Sequence, residues 1–124
     1  NKEFHIFMNL IRLKQAYSER ARFTFAHELG HYFIDDHRNA LLKGLSPSHC
    51  SYTGFQSRNR AERQADYFAS CLLMPETGFK KYCFRKKFEF RIIDELAKKY
   101  GASKSATALR FCTIGNHPIM VVYT

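Results

Sequence analysis

The pattern of apolar and polar positions changes along the chain between a strand-like and a helix-like period. Residues 3–11 (EFHIFMNLI) and 119–123 (IMVVY) are short runs of aromatic and branched side chains, which predict strands. Apolar residues in 22–36, 59–74 and 90–110 recur at helical spacing. We therefore predict an α+β fold, in which a small, mostly antiparallel sheet packs on a helical core.

Local signals mark several element ends. Ser18 is placed to cap the start of the helix that follows it, and Gly101 to end the helix before it. A chain of 124 residues that is 45% hydrophobic is expected to form one domain, residues 1–124, with a modest core. Its abrupt start at Asn1 and its strand-like last residues are compatible with a piece of a longer protein.

The most informative segment is RFTFAHELGHYFIDD, residues 22–36. If it is helical, His27 and His31 lie one turn apart and project from the same face, so both imidazoles can bind one ion. The surrounding apolar residues predict a helix buried on most sides, where unpaired polar groups would be costly. This is the HExxH arrangement of zinc metallopeptidases.

The glutamate inside this motif supplies a base. A zinc ion with three protein ligands keeps one position open and activates water there. Glu28, next to His27, is placed to take the proton as that water attacks a carbonyl. The segment therefore predicts hydrolysis of an amide bond.

Two residues compete for the third ligand position. His37 has the spacing of the metzincin motif HExxHxxGxxH, but this chain has Ile34 where that motif needs a helix-ending glycine. On an unbroken helix His37 would lie about 9 Å beyond His31, at about 1.5 Å per residue. It would then be only a polar residue at the helix C-terminus, where partial positive charge is favourable.

Glu62 is the stronger candidate. Glu62, Asp66 and Ala69 recur on one face of the second predicted helix, and Ala61 and Ala65 allow that helix to lie close to the first. Glu62 can complete a His-His-Glu zinc site. Asp66, one turn later, can accept the free ring N–H of a ligating histidine, for which His27 is the best candidate.

The two segments together resemble a known family. RFTFAHELGHYF, followed by ERQADYFASCLLMP, is similar to the paired motifs of the ImmA/IrrE family of small zinc metallopeptidases, which are gluzincin-like. The resemblance covers about half of the chain. It implies that His27, His31 and Glu62 bind zinc, that Glu28 is the catalytic base, and that Asp66 supports a ligand.

The resemblance also implies a class of substrate. Some members of the family cleave or inactivate helix-turn-helix repressors, so we expect a regulatory protein, such as a repressor or antitoxin, as the partner. The alternative is a zinc-containing regulator that binds protein or DNA with little peptidase activity.

The positive charge of the chain is compatible with a nucleic-acid partner. The chain carries a net charge of +9 and has a pI of about 9.6, which suits a polyanion. Residues 96–111 (LAKKYGASKSATALRF) resemble a helix-turn-helix. The resembled family nevertheless uses such C-terminal helices for packing, and we interpret this pair mainly as scaffold.

The segment between the two motifs predicts a long loop beside the site. Its Gly, Ser and Pro residues lie within 37–58, and it contains His49 and Tyr52, each a candidate stabiliser of the developing oxyanion. His117, beside Pro118, is expected to be a turn residue.

The cysteines and the hydropathy pattern bear on the compartment. Cys50, Cys71, Cys83 and Cys112 form no CxxC pair, which argues against a thiolate metal site and favours reduced thiols. No apolar run is long enough for a membrane span and the first residues are not a signal peptide. A cytoplasmic protein without a membrane partner is expected, and no feature indicates its oligomeric state.

Overall fold

A computed structural model describes residues 3–9, 11, 18–45 and 59–122. The secondary structure within these ranges is helical. The helices are α1 (Glu19–Phe33), α2 (Asp35–Leu42), α3 (Arg60–Leu73), α4 (Glu76–Cys83), α5 (Phe90–Tyr100) and α6 (Lys104–Ile114). Among the described residues, no helix is long and apolar enough to cross a membrane.

The predicted α+β fold is wrong, because the described ranges contain helices and no strand. Residues 3–9 and 119–122 have strand-like composition but no regular structure. β-Propensity expresses how well a side chain fits a pleated, half-buried surface, not a preference of the isolated backbone. No residue of 3–9 or 119–122 is buried, so neither run has the buried face that such a surface provides.

The chain divides into two compact units, Asn1–Ala69 and Ser70–Thr124. The single domain expected from the length stays a prediction. The first unit contains α1, α2 and most of α3, and therefore all the residues of the two sequence motifs that carry candidate chemistry.

Helix α1 begins at the predicted cap. Ser18 is extended (φ −63°, ψ 156°), and its hydroxyl accepts a hydrogen bond from the backbone N–H of Ala21 over 3.1 Å. This bond satisfies one of the N–H groups that a helix start leaves without a helical partner. The predicted N-cap is confirmed.

The same helix ends earlier than expected. Ile34 is extended (φ −78°, ψ 112°), and α2 begins at once with Asp35 and Asp36 in its first turn. Two carboxylates at a helix N-terminus interact favourably with its partial positive charge, so the sequence favours a new start here. The expectation of one helix reaching Asp36 is therefore wrong, and the corner places His37 on a second helix.

Helices α1 and α3 approach closely at a glycine. A Cβ atom added to Gly30 would lie 3.2 Å from the Cα atom and 3.3 Å from the carbonyl oxygen of Ala65. Near this contact the rings of Phe33 and Phe68 stack, with centroids 6.0 Å apart. The small residues thus let the two helices lie together, as the alanine pattern of α3 predicted.

The second unit has its own core. Its fully buried large apolar side chains come from the residue after α3 and from α4, α5 and α6: Met74, Phe79, Leu96 and Phe111. Gly101 ends α5 in the left-handed region (φ 58°, ψ 42°), which confirms the predicted cap, and Ser103 caps α6.

Apolar residues of both α5 and α6 are buried in the core of the second unit. Arg110, at the end of the helix-turn-helix-like segment, is 4% exposed, and its Nε donates a hydrogen bond to the carbonyl oxygen of Met74 over 3.1 Å. Lys104, at the start of α6, pairs with Asp94 over 2.8 Å. These two basic residues are engaged within the unit, which supports the interpretation of the pair as scaffold.

Candidate metal centre

Three side chains of the first unit bring their ligand atoms together. Nε2 of His27 lies 3.2 Å from Nε2 of His31 and 3.1 Å from Oε2 of Glu62, and Nε2 of His31 lies 3.4 Å from Oε1 of Glu62. All three residues are buried. They form a group of metal-ligating type whose ligand atoms all lie within 4.8 Å of one another.

Helix geometry explains this convergence. His27 and His31 are one turn apart on α1, and Gly30 between them allows α3 to approach. Glu62 lies in the first turn of α3, three residues before Ala65, whose backbone lies next to Gly30. The contact between glycine and alanine backbones thus brings the Glu62 carboxylate to the histidine face of α1.

The spacing of the ligand atoms is compatible with a tetrahedral metal site. Bonds of about 2.0–2.1 Å at tetrahedral angles separate neighbouring ligand atoms by about 3.3 Å. The two histidine Nε2 atoms lie 3.2 Å apart, and each lies close to a different oxygen of Glu62, at 3.1 Å from His27 and 3.4 Å from His31. With one ligand atom from each residue, all three atoms lie within 4.8 Å of one another, so the group could hold one ion.

Asp66 supports the first histidine. Its Oδ1 lies 2.8 Å from Nδ1 of His27, and because a carboxylate only accepts, Nδ1 carries the proton. In the neutral imidazole this leaves the lone pair of His27 on Nε2, which faces Glu62 and His31. Burial by itself lowers the pKa of His27, but the hydrogen bond and charge of Asp66, with the charges of Glu62 and Glu28, more than offset it and raise the pKa overall.

His31 is in a different electrostatic environment. Burial, and next the proximity of His27, lower the pKa of His31 below its usual value, against the opposing charges of Glu62 and Glu28. A lowered pKa favours the neutral imidazole. Metal binding requires that neutral form.

His37 and Gln64 form a contact that the sequence did not predict. Nδ1 of His37 lies 3.0 Å from Nδ1 of His31, and Nε2 of His37 lies 2.9 Å from Oε1 of Gln64. The metzincin-like spacing drew attention to His37, but as a candidate ligand. The position of Gln64, two residues after Glu62, gave no signal of its own.

The remaining candidates lie in different places. Glu28 is half-buried on α1, and its charge favours the protonated forms of both His27 and His31. His49 and Tyr52 lie outside the described residues. His117 is half-buried and interacts with its neighbour Asn116 over 3.0 Å, which agrees with the predicted turn position.

Two histidines on one helical turn and a glutamate from a second helix define a candidate metal centre of the HExxH class. Residues 2–111 match the Peptidase M78 family, described as IrrE N-terminal-like domain. The chain belongs to this family, and the predicted ImmA/IrrE resemblance is confirmed.

A curated relative also supports the assignment to this family. The chain is 33% identical over 109 residues to the radiation response metalloprotease IrrE of Deinococcus radiodurans. The alignment covers 85% of this chain but 30% of the relative, so the chain spans less than a third of that protein's length. No solved structure matches the chain. A metalloprotease family implies a metal ion, and the His27, His31 and Glu62 group could hold one.

Proposed function

We propose that this chain is the catalytic part of a zinc peptidase that hydrolyses a peptide bond in a regulatory protein. The observation that carries the proposal is the buried group of His27, His31 and Glu62, whose ligand atoms all lie within 4.8 Å of one another. Three protein ligands are typical of catalytic zinc sites, which keep a fourth position for water or substrate.

The choice of zinc follows from the kinds of ligand atom. Two imidazole nitrogens and one carboxylate oxygen are the set found in His₂Glu catalytic zinc sites. Harder ions such as Mg²⁺ and Ca²⁺ prefer oxygen ligands. The tautomer of His27 set by Asp66 leaves Nε2 free to bind.

Glu28 has the role of general base in this proposal. Bound zinc would supply a Lewis acid that polarises the carbonyl and lowers the pKa of water. The Glu28 carboxylate takes one proton from the attacking water as the new C–O bond forms. It then delivers that proton to the amine nitrogen as the C–N bond breaks, so that the carboxylate is regenerated.

The proposed substrate class rests on the family. The relative's name joins a protease to a radiation response, which fits a regulatory role better than a digestive one. Repressor or antitoxin-like proteins with helix-turn-helix folds are therefore the substrates we propose. The net charge of +9 adds that a substrate with an acidic surface would be attracted.

The first experiment tests the metal. Wild type, Glu62→Ala and the exposed control Glu19→Ala are purified, and their zinc content is measured by elemental analysis. We expect about one zinc per chain in wild type and Glu19→Ala, and loss in Glu62→Ala. Full zinc in Glu62→Ala would overturn Glu62 as the third ligand, and no zinc in any variant after reconstitution would overturn the zinc proposal.

The second experiment tests catalysis. Wild type and Glu28→Gln are expressed in the cells from which the sequence comes, and new protein N-termini are mapped by mass spectrometry. We expect both proteins to hold zinc and only wild type to produce new N-termini. An undiminished biological effect of Glu28→Gln, without cleavage, would contradict the peptidase and favour the alternative of a zinc-containing binding protein.

A further inference from the structure

A chain of contacts leads from His31 away from the metal-facing side of its ring. Nδ1 of His31 meets Nδ1 of His37 at 3.0 Å, and Nε2 of His37 meets Oε1 of Gln64 at 2.9 Å. His31 and His37 are buried, whereas Gln64 is exposed. The two rings are tilted at 40° with centroids 5.1 Å apart, so they meet through their nitrogen atoms rather than by stacking.

Only one arrangement of protons along this series of contacts leaves His31 able to bind a metal through Nε2. The Gln64 Oε1 atom is a carbonyl oxygen and accepts, so Nε2 of His37 donates and Nδ1 of His37 carries a lone pair. Nδ1 of His31 then donates to that lone pair, which leaves the lone pair of His31 on Nε2. The reverse arrangement would place a proton on Nε2 of His31 and block the site.

We propose that His37, oriented by Gln64, is a positioning residue that fixes the ring and the tautomer of His31. The inference rests on the proposed zinc site and extends it. It assigns to the second histidine the kind of support that Asp66 gives to the first. Hydrogen-bond partners of this kind orient a ligating imidazole and raise its basicity.

Asp66 and His37, the hydrogen-bond partners of His27 and His31, differ in charge, and this difference makes the inference specific. Asp66 places a negative charge behind His27 and helps to raise its pKa. His37 is an imidazole and offers His31 an uncharged acceptor at the same ring atom. Helix α3 contributes to both arrangements, since Glu62, Gln64 and Asp66 all belong to it.

Zinc affinity, measured by competition with a chromophoric chelator, tests the proposal. The variants are His37→Phe, which keeps an aromatic ring, Gln64→Met, which removes the acceptor, and Gln64→Glu, which keeps one. His5→Ala, at an exposed histidine in the first unit, is the control. We expect His37→Phe to weaken zinc binding about 10- to 100-fold and Gln64→Met about tenfold, with Gln64→Glu and His5→Ala close to wild type.

A spectroscopic measurement separates positioning from a general structural effect. Long-range ¹H–¹⁵N correlations of zinc-loaded wild type should show His31 protonated on Nδ1 and His37 protonated on Nε2. In Gln64→Met the Nε2–H form of His37 should lose its dominance, while Gln64→Glu should restore it. Because Gln64 is exposed, its variants provide the test even where His37→Phe fails to fold.

Several outcomes would overturn the inference. They are an unchanged zinc affinity in folded His37→Phe, equal affinities of Gln64→Met and Gln64→Glu, or a His37 protonated on Nδ1 in the zinc-loaded protein. A wild-type chain that binds no zinc would overturn both this inference and the proposed function. Zinc binding with these dependences but without peptide cleavage would overturn the peptidase alone.

Discussion

Asp66 lies directly behind His27, with 2.8 Å between its Oδ1 and the ring Nδ1. The contact joins α3 to α1 on the side of the ring opposite to Glu62, so one helix provides both a candidate ligand and the group that orients another ligand. Because Glu62 and Asp66 are four residues apart, they lie on one face of α3, where Glu62 is a candidate ligand and Asp66 orients His27.

Removal of the Asp66 carboxylate is predicted to weaken zinc binding without abolishing it. We expect Asp66→Ala to lose about 10- to 100-fold in zinc affinity, because His27 would lose the acceptor that fixes its tautomer. Asp66→Asn should lose less, since its amide oxygen can still accept. Chelator competition measures both, with Glu19→Ala, at an exposed residue of α1, as the control. Equal affinities of wild type and Asp66→Ala would contradict the prediction.

A methyl group at Gly30 is predicted to destabilise the protein. Alanine is the better helix former by about 1 kcal/mol, but its Cβ would lie 3.2 Å from the Cα atom of Ala65. Backbone atoms cannot move aside as a side chain can, and overpacking costs about 1–3 kcal/mol. We therefore expect Gly30→Ala to lower the free energy of urea unfolding by about 1 kcal/mol.

Gly78→Ala is the comparison for this variant. The added Cβ would meet the hydroxyl end of Tyr100, which lies on a movable side chain. Its effect on the free energy of unfolding should be smaller than that of Gly30→Ala. A Gly30→Ala protein more stable than wild type would show that α1 and α3 are not held at the contact described.

Arg110 is predicted to stabilise the second unit through its buried hydrogen bond. Arg110→Met removes the donor and leaves the Met74 carbonyl oxygen without it, which should cost about 1.5–3 kcal/mol in the free energy of unfolding. The control is Arg91→Met, at a side chain 75% exposed, for which a change within about 0.5 kcal/mol is expected. Equal stabilities of the two variants in urea unfolding would contradict the assignment.

The thiols of the second unit should differ in reactivity. Cys83 is 1% exposed, and burial raises the pKa of its thiol, only partly opposed by Lys86, whereas Cys112 is exposed. Because the thiolate is the reactive form, iodoacetamide should modify Cys112 well before Cys83 in the native protein. Peptide mass mapping over time measures this order. In denaturant the two rates should converge, and similar rates in the native protein would refute the prediction.

Most helices were predictable from local signals, but α2 was not, because residues 37–42 lie in the segment predicted to be a loop. The predicted sheet is absent from the described residues. Ser18 and Gly101 act through contacts with residues close in sequence, so their capping roles could be predicted from the chain alone. A strand depends on a partner that sequence composition does not name. The aromatic and branched residues of 3–9 and 119–122 therefore gave a wrong fold class.

The candidate site was predictable wherever residues repeat at helical spacing. His27 and His31 on α1, and Glu62 and Asp66 on α3, lie on shared faces for that reason. The role of His37 was not predicted, because it depends on the end of α1 at Phe33. Ile34 is neither glycine nor proline and gives no signal for a helix end, and the signal that does exist, two carboxylates at Asp35 and Asp36, belongs to the start of α2.

The break between α1 and α2 at Ile34 changes how a histidine downstream of HExxH should be interpreted. A residue at φ −78° needs no special side chain, so a chain can turn back after this motif without the glycine on which pattern searches rely. Here His37 contacts Nδ1 of the candidate ligand His31 and not its metal-facing Nε2. Motif spacing alone therefore cannot distinguish a third ligand from the partner of a second one, and sequence-based assignments of metal ligands in such chains need the helix boundary first.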